Sequence, residues 1–361
     1  MKKKISGAGK KTATPRTVLI HTRQDDVHAT IVSSALNKRG NKVISWKDSD
    51  YSSRAVMSFY YSNGSTSVDY KNSDFEFTSD DIDVVWNRRR PSPVVPNIVA
   101  EKQRTFVRQE IKMCISSSDY FLRDAFWINR YDSAVYSELK PLELQLAQKN
   151  GLCVPPTLIS NDRKRIQQFL SEHENCIYKS LTGLNEEKKG KTRILFTADI
   201  DKSMLPRGKI LQAAPGIFQK KIKKKYEVRA QFFGNYYAAI AIDSTGLKEG
   251  HLDWRIDQGS IKSCKPLLLP VEIYESCRRL MQDFGIVSSA FDFIVDKDDN
   301  WVFLEINEAG QFLFIEHWCP ELLVLDAFCQ FIEGADANFQ YVPVKTPMKF
   351  LDFKELAFPD G

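Results

Sequence analysis

Apolar positions in this chain change their period as one reads along it. The first run, TVLIHT (17–22), is apolar at consecutive positions, as a strand covered on both faces is. Residues 25–39 then follow a helical period that closes at Gly40, and NKVISW (41–46) gives a second strand. Strand, helix, strand is the opening of an α/β domain. Residues 56–78 alternate about the turn SNGS and predict a hairpin-like section. DIDVVWNRRRPSPVVP is another buried strand, ending in three arginines and a proline-rich turn. Helical periods cover 101–128 and 132–150, the second stopped by KNG ahead of the strand-like LCVPPTLIS. A helix over 161–173, the strand CIYKSL and the charged loop TGLNEEKKGKTR lead to the strand ILFTADI. GIFQKKI, YEVRAQFFG and YYAAIAID read as an antiparallel meander, and a helix over 271–284 precedes the hairpin AFDFIVD/WVFLEIN. A last helix covers 320–333, with an extended tail from 336.

The closing hairpin breaks its own pattern. WVFLEIN (301–307) is core material except for Glu305 and Asn307, which lie two residues apart and so project from one face of the strand. Left unpaired in a buried strand, such groups cost several kcal/mol. With KDDN (297–300) as the turn, 296 pairs with 301, and counting back puts Asp292 opposite Glu305. Directly opposed residues lie about 4.5–5.5 Å apart, and two carboxylates that close repel unless a cation neutralises them. Asp292, Glu305 and Asn307 offer only oxygen, which suits magnesium held partly by substrate phosphates. Two ions about 3.5–4 Å apart could share Glu305 and clamp a transferring phosphoryl group.

Composition narrows the field. The chain has 361 residues, 43% hydrophobic and 27% charged, which is ordinary for a water-soluble globular protein with room for two or three lobes. No apolar run approaches the roughly 18 residues that span a bilayer, and the basic start lacks the apolar stretch of a signal peptide, so the reading is cytoplasmic with no membrane partner. Seven scattered cysteines form no C-x-x-C pair, which fits reduced thiols rather than a structural zinc site. The five histidines show no metal-ligand spacing; only His251 lies near a candidate site. The formal charge of +5 is deceptive: residues 1–16 hold six Lys/Arg and no acid, so the remainder is −1. That is not the footprint of a nucleic-acid binder. GKT at 190–192 is not a phosphate loop either, because six residues separate Gly183 from Gly190 and the segment joins two strands.

The hairpin carboxylates are also where a family resemblance begins. AFDFIVD followed by WVFLEIN resembles the metal-binding end of the ATP-grasp fold of carboxylate–amine ligases, and other family segments precede it in order. ELKPLELQLAQKNGLCVPPTLISND is similar to the helix and strand that open the ATP-binding part, with Lys140 as the first phosphate lysine. IYKSLTG resembles V-x-K-P-x-x-G, which makes Lys179 the second and 182–193 a flap over the phosphates. FQKKIKKKYEVRAQFFG resembles the hinge: Gln219, Lys220 and Ile222 would meet adenine, largely through backbone, Glu227 the ribose, and Arg229 the phosphates. Lys220 stands where many relatives have an acid. DWR places Arg255 where related ligases hold an arginine near the acyl-phosphate. VVWNRRRPSP and NEAGQFLFIEHWCP resemble the V-W-y-R-R-P and E-x-N-x-x-G-Q-F-x-x-x-E segments of graspetide (microviridin-type) peptide maturases, which adds Arg88, Arg89, Arg90 and Gln311 as candidate peptide contacts.

The resemblance implies an α/β (α+β) ATP-grasp architecture. It would comprise a basic tail (1–16), an N-terminal α/β pre-ATP-grasp domain (17–128), a central lid subdomain (129–216), a C-terminal antiparallel-sheet subdomain with the metal site (217–335) and a tail (336–361). It further implies ATP and two Mg2+ ions, and as partner a ribosomal precursor peptide with a leader and an acidic core; a homodimer is compatible with it. Arg229 and Arg255 would be catalytic, neutralising the acyl-phosphate and the oxyanion formed on attack by a Ser, Thr or Lys side chain. Two alternatives stay open at the level of sequence: a ligase of free amino acids or of glutamate onto a protein tail, and a non-catalytic nucleotide- or peptide-binding protein that kept the fold.

Overall fold

A computed structural model describes residues 14–47, 51, 53–90, 92–182, 185–188, 191–194, 197–207, 209–246 and 261–357. They form two compact units. One comprises residues 1–129, 233–236 and 323–361, the other residues 130–232 and 237–322.

In the first unit, β1 (Thr17–His21) pairs in parallel with β2 (Lys42–Trp46) on one side and β6 (Val84–Asn87) on the other. Val18, Leu19 and Ile20 are wholly buried, as consecutive apolar residues in a central parallel strand require. Helix α1 (Val27–Lys38) crosses between β1 and β2, capped by Asp26, whose side chain accepts from Ala29 N. It ends before Gly40, whose φ of 91° is readily adopted by glycine. Strands β3 (Val56–Ser62), β4 (Ser65–Lys71) and β5 (Glu76–Thr78) form an antiparallel meander. Its inner residues Tyr70 and Phe77 stack beside Trp46. Helix α2 (Arg104–Phe121) is shorter than its period predicts, because Phe126–Ile128 leave the helix and become β7, the fourth parallel strand, beside β6. Three residues are too few to show a strand period. Trp127 is instead held by burial and by donating to Leu122 O.

The second unit opens with a correction: the helix expected over 132–150 is two, α3 (Tyr131–Ser137) and α4 (Lys140–Lys149). Pro141 favours a new helix start, since its ring fits the first turn and disrupts an interior. Strand β8 (Thr157–Ser160) and helix α5 (Arg163–Glu172) follow, then β9 (Cys176–Lys179), the hairpin β10 (Asn185–Lys188) with β11 (Lys191–Ile194), and β12 (Ala198–Ile200). After the short α6 (Ile210–Ala213), β13 (Gly216–Lys220) completes a four-stranded sheet in the order β12-β9-β13-β8. A second sheet holds β14 (Lys224–Phe233), β15 (Tyr236–Asp243), β16 (Ser263–Pro266), β17 (Ser288–Asp296) and β18 (Trp301–Asn307), in the order β16-β15-β14-β17-β18. Its main core takes Cys277, Leu280, Met281 and Phe284 from α7 (Val271–Phe284), together with Phe232, Phe291, Phe293 and Phe303 from the strands. Helix α8 (Leu313–Trp318) was not foreseen; it is a turn and a half long, too short for a period to show.

Helix α9 (Val324–Gly334) belongs to the first unit, not to the C-terminal sheet, and packs Phe328 on Trp86 and Phe331 on Phe126. Nor are residues beyond 336 an extended tail. Phe339, Phe350 and Phe353 are buried, a short α10 (Lys354–Ala357) forms, and Asp326 accepts from Met348 N and Tyr341 OH. These aromatics lie too far apart in sequence to read as an element. At the other end Arg16 is held by Asn41 and Glu333, while residues 1–13 lie outside the described residues. Among the described residues no helix is long and apolar enough to cross a membrane.

Candidate active site

Asp292 lies opposite Glu305 in the β17/β18 pair, but the path to that register differs from simple counting. Asp296 folds over the turn and accepts from the backbone N–H groups of Asp298 and Asn300, so Val295, not Asp296, pairs with Trp301. A β-bulge then leaves Leu304 without a partner, and the register recovers at Asp292 and Glu305. A bulge re-aims the side chains beyond it, here Asp292 and Glu305.

Cationic side chains flank both carboxylates. Arg229, on the neighbouring β14, donates to Asp292 Oδ2 at 2.7 Å and to the carbonyl of Gln311 at 3.0 Å, with its guanidinium 5.9 Å from the Phe314 ring. Gln311 thus enters through its backbone rather than its side chain. Close approach is possible because Gly310 has no Cβ: one built there would stand 2.5 Å from Arg229 Nη2. Lys140, in the first turn of α4, lies 3.5 Å from Glu305 Oε2 and 2.8 Å from Glu143 Oε2.

Sequence reasoning missed Glu143. It is wholly buried, and its other oxygen accepts from the Ile306 backbone N–H at 3.0 Å. Burial pushes its carboxyl up to about 7 against the pull of Lys140, while for Lys140 itself burial is outweighed by the two carboxylates, which hold its ammonium above the usual lysine range. One ammonium is shared between two carboxylates, which is why Lys140 stays charged despite its burial. The available signal was its place one helical turn after Lys140, on the face that α4 turns to the core.

The remaining nucleotide candidates sit in the other sheet and the hinge. Lys179 donates to Gln219 Oε1 at 3.0 Å, and Gln219 donates to Thr157 Oγ1 at 2.8 Å, so these residues form one chain across β9, β13 and β8. Glu227 is held by Lys224 at 2.8 Å and by the Ser244 hydroxyl. Lys220 and Ile222 line a cavity of about 620 Å3 with His173, Asn175 and Lys297; Lys140, Lys179 and the carboxylates are not part of its wall. Arg255 and His251 lie outside the described residues, as does part of the expected flap.

The arginine strand end belongs to the first unit. Arg88 is buried 3.4 Å from Asp26, Arg90 grips Asp119 with both guanidinium nitrogens at 2.6 and 2.7 Å, and Arg89 is a third exposed. Two of these three candidate peptide contacts are thus paired with carboxylates of their own unit.

Asp292, Glu305 and Asn307 fit a hard cation by chemistry, since all three are oxygen donors on one stretch of sheet and two are already paired with cationic groups. Among the described residues no cluster of three or more His, Cys, Asp or Glu stands ready for a metal, so an ion here would draw its remaining ligands from water and phosphate.

Residues 17–134 match the MvdD pre-ATP grasp domain family. No curated protein matches the chain. Among solved structures, a Chryseobacterium gregarium RiPP-associated ATP-grasp ligase in complex with ADP and a leader and core peptide is 23% identical, with a TM-score of 0.79 over 91% of this chain and 100% of that one. The macrocyclase MdnC from Microcystis aeruginosa MRC, bound with precursor peptide MdnA, is 25% identical, with a TM-score of 0.76 over 88% and 99%. This chain has the fold of the ATP-grasp ligases. A third solved structure, PsnB complexed with a phosphomimetic variant of minimal precursor, Mg and ADP, is 21% identical, with a TM-score of 0.68 over 89% of this chain and 98% of that one. The chain has the mixed α/β class expected of it, with antiparallel sheets in its C-terminal half.

Proposed function

We propose that this ATP-grasp ligase matures a ribosomal precursor peptide in the cytoplasm, activating Asp or Glu side chains with ATP and closing them onto Ser, Thr or Lys as lactones or lactams. The observation that carries the reading is the Asp292/Glu305 pair flanked by Arg229 and Lys140. Neighbours crystallised with precursor peptides and ADP support it over nearly the whole chain.

A carboxylate resists attack because it is anionic and would have to expel oxide. Its oxygen first attacks the γ-phosphorus of ATP, the bond to the bridging oxygen breaks, and ADP leaves. The hydroxyl or amine then attacks the acyl carbon of the resulting acyl-phosphate. Phosphate departs with the bonding pair, the nucleophile's proton passes to solvent or phosphate, and the peptide has lost one water per ring.

No covalent bond to the enzyme is required, so this ligase contributes position and charge. Lys140 and Lys179 would hold phosphates, the Gln219–Ile222 hinge the adenine and Glu227 the ribose. Arg229 would neutralise charge on the transferring group. Asp292, Glu305 and Asn307 would hold a pair of magnesium ions, which supply charge neutralisation of the phosphates when bound.

The test is co-expression with a short peptide encoded beside the ligase, rich in Asp/Glu and Ser/Thr/Lys, followed by mass spectrometry. ATP-dependent loss of water from the core is expected, slowed for a leaderless core and partly restored by added leader. Ligation of free amino acids with no water lost from any acidic peptide would overturn the peptide substrate.

A further inference from the structure

Glu143 has no part in the chemistry above, yet its two oxygens are each committed. Oε1 takes the Ile306 N–H and Oε2 takes Lys140. Strand β18 is the edge of its sheet, so the outward N–H of Ile306 has no strand to meet. A neutral amide would satisfy that donor equally well. A carboxylate, wholly buried, is the costly choice unless its charge has a use. The use is visible in two distances: Lys140 lies 2.8 Å from Glu143 and 3.5 Å from Glu305.

We propose that Glu143 is a positioning residue that draws the Lys140 ammonium aside from Glu305, and so sets the Mg2+ concentration at which the metal site fills. This rests on the proposed function of the site. Without a charge at position 143 the carboxylate left to Lys140 among the described residues is Glu305, and the lysine then competes with the cation for that oxygen. With the charge in place, the same strand that presents Glu305 carries, through Ile306, the group that holds the competing lysine away. Lysine and metal are thereby coupled through one buried side chain.

The experiment is calorimetric titration of the full-length protein with ADP at stepped Mg2+ and mildly alkaline pH, with thermal unfolding of each variant alongside. Glu143→Gln keeps an acceptor for the Ile306 N–H and loses the charge; its Mg2+ midpoint should rise about tenfold with little change in melting temperature. Glu143→Asp keeps the charge and shortens the reach, and its midpoint should stay within about twofold of wild type. A role confined to satisfying the Ile306 N–H predicts the opposite order, with Gln silent and Asp damaging, and that result would overturn the proposal. Should Glu143→Gln fail to fold, a tenfold rise for Glu143→Asp alone would do so. A wild-type protein that does not bind ADP with Mg2+ at all would instead remove the reading of the site on which the proposal depends.

Discussion

In the proposed function, Glu305 is the residue on which the chemistry turns. It stands opposite Asp292 with Lys140 beside it, while Ile306 and Phe303 of the same strand fill the core. Glu305→Gln should therefore melt within a few degrees of wild type while ATP turnover falls about 100-fold or more. A coupled ADP-release assay beside thermal unfolding decides it, and near-wild-type turnover would sink the metal assignment. Asp292, Glu305 and Asn307 were legible in the sequence because polar atoms inside an apolar strand demand a reason. Glu143 was not, since an acid in the first turn of a helix has a sufficient everyday explanation in the helix dipole. Only burial separates the two cases, and burial is not written in local sequence.

At the scale of elements, the segment from β18 through Gly310 to α8 shows how pattern and structure diverge. Counting along the hairpin places Asp292 against Glu305 by two errors that cancel, a turn one residue longer than KDDN and a bulge at Leu304. Alternation reports which face a residue takes, but it is blind to a bulge until the partner strand is known. Gly310 carries a second consequence. An added methyl would also stand 2.8 Å from Ala290 Cβ, so neither the arginine nor the strand behind it can yield freely. Gly310→Ala should destabilise the protein by about 1–3 kcal/mol. It should also weaken ADP binding through a displaced Arg229. Urea unfolding and calorimetry read the two effects separately, and an unchanged nucleotide affinity would show that Arg229 does not serve the nucleotide.

For the whole molecule, sequence pattern gave the fold class and most strands but misassigned the ends. The pattern places residues 323–335 with the C-terminal sheet and 336–361 in an extended tail. Instead Asp326 and Glu333 of α9 bind Arg39 at 2.9 and 2.6 Å, and Phe350 and Phe353 are buried in the same unit. Long-range pairing of this kind leaves no periodic trace. A chain ending at Ala335 loses three buried phenylalanines, each worth about 3–5 kcal/mol in a core. That total is comparable to the net stability of a typical domain. The first unit is expected to become protease-sensitive while residues 130–322 stay protected, as peptide mapping would reveal; equal protection of both units would contradict the packing described.

That same return of the chain bears on how the protein is made. The first unit starts ahead of the second but lacks α9 and the segment behind it until residues 323–357 have been synthesised, after the whole of the second unit. At ribosomal speeds of about 5–20 residues per second, the intervening stretch takes on the order of 10–40 s. During that interval Trp86 and Phe126, which later meet Phe328 and Phe331, have no partner from α9. The unit encoded second is thus free to finish first, and a nascent chain stalled near residue 322 would hold one completed unit and one with its aromatic face still waiting.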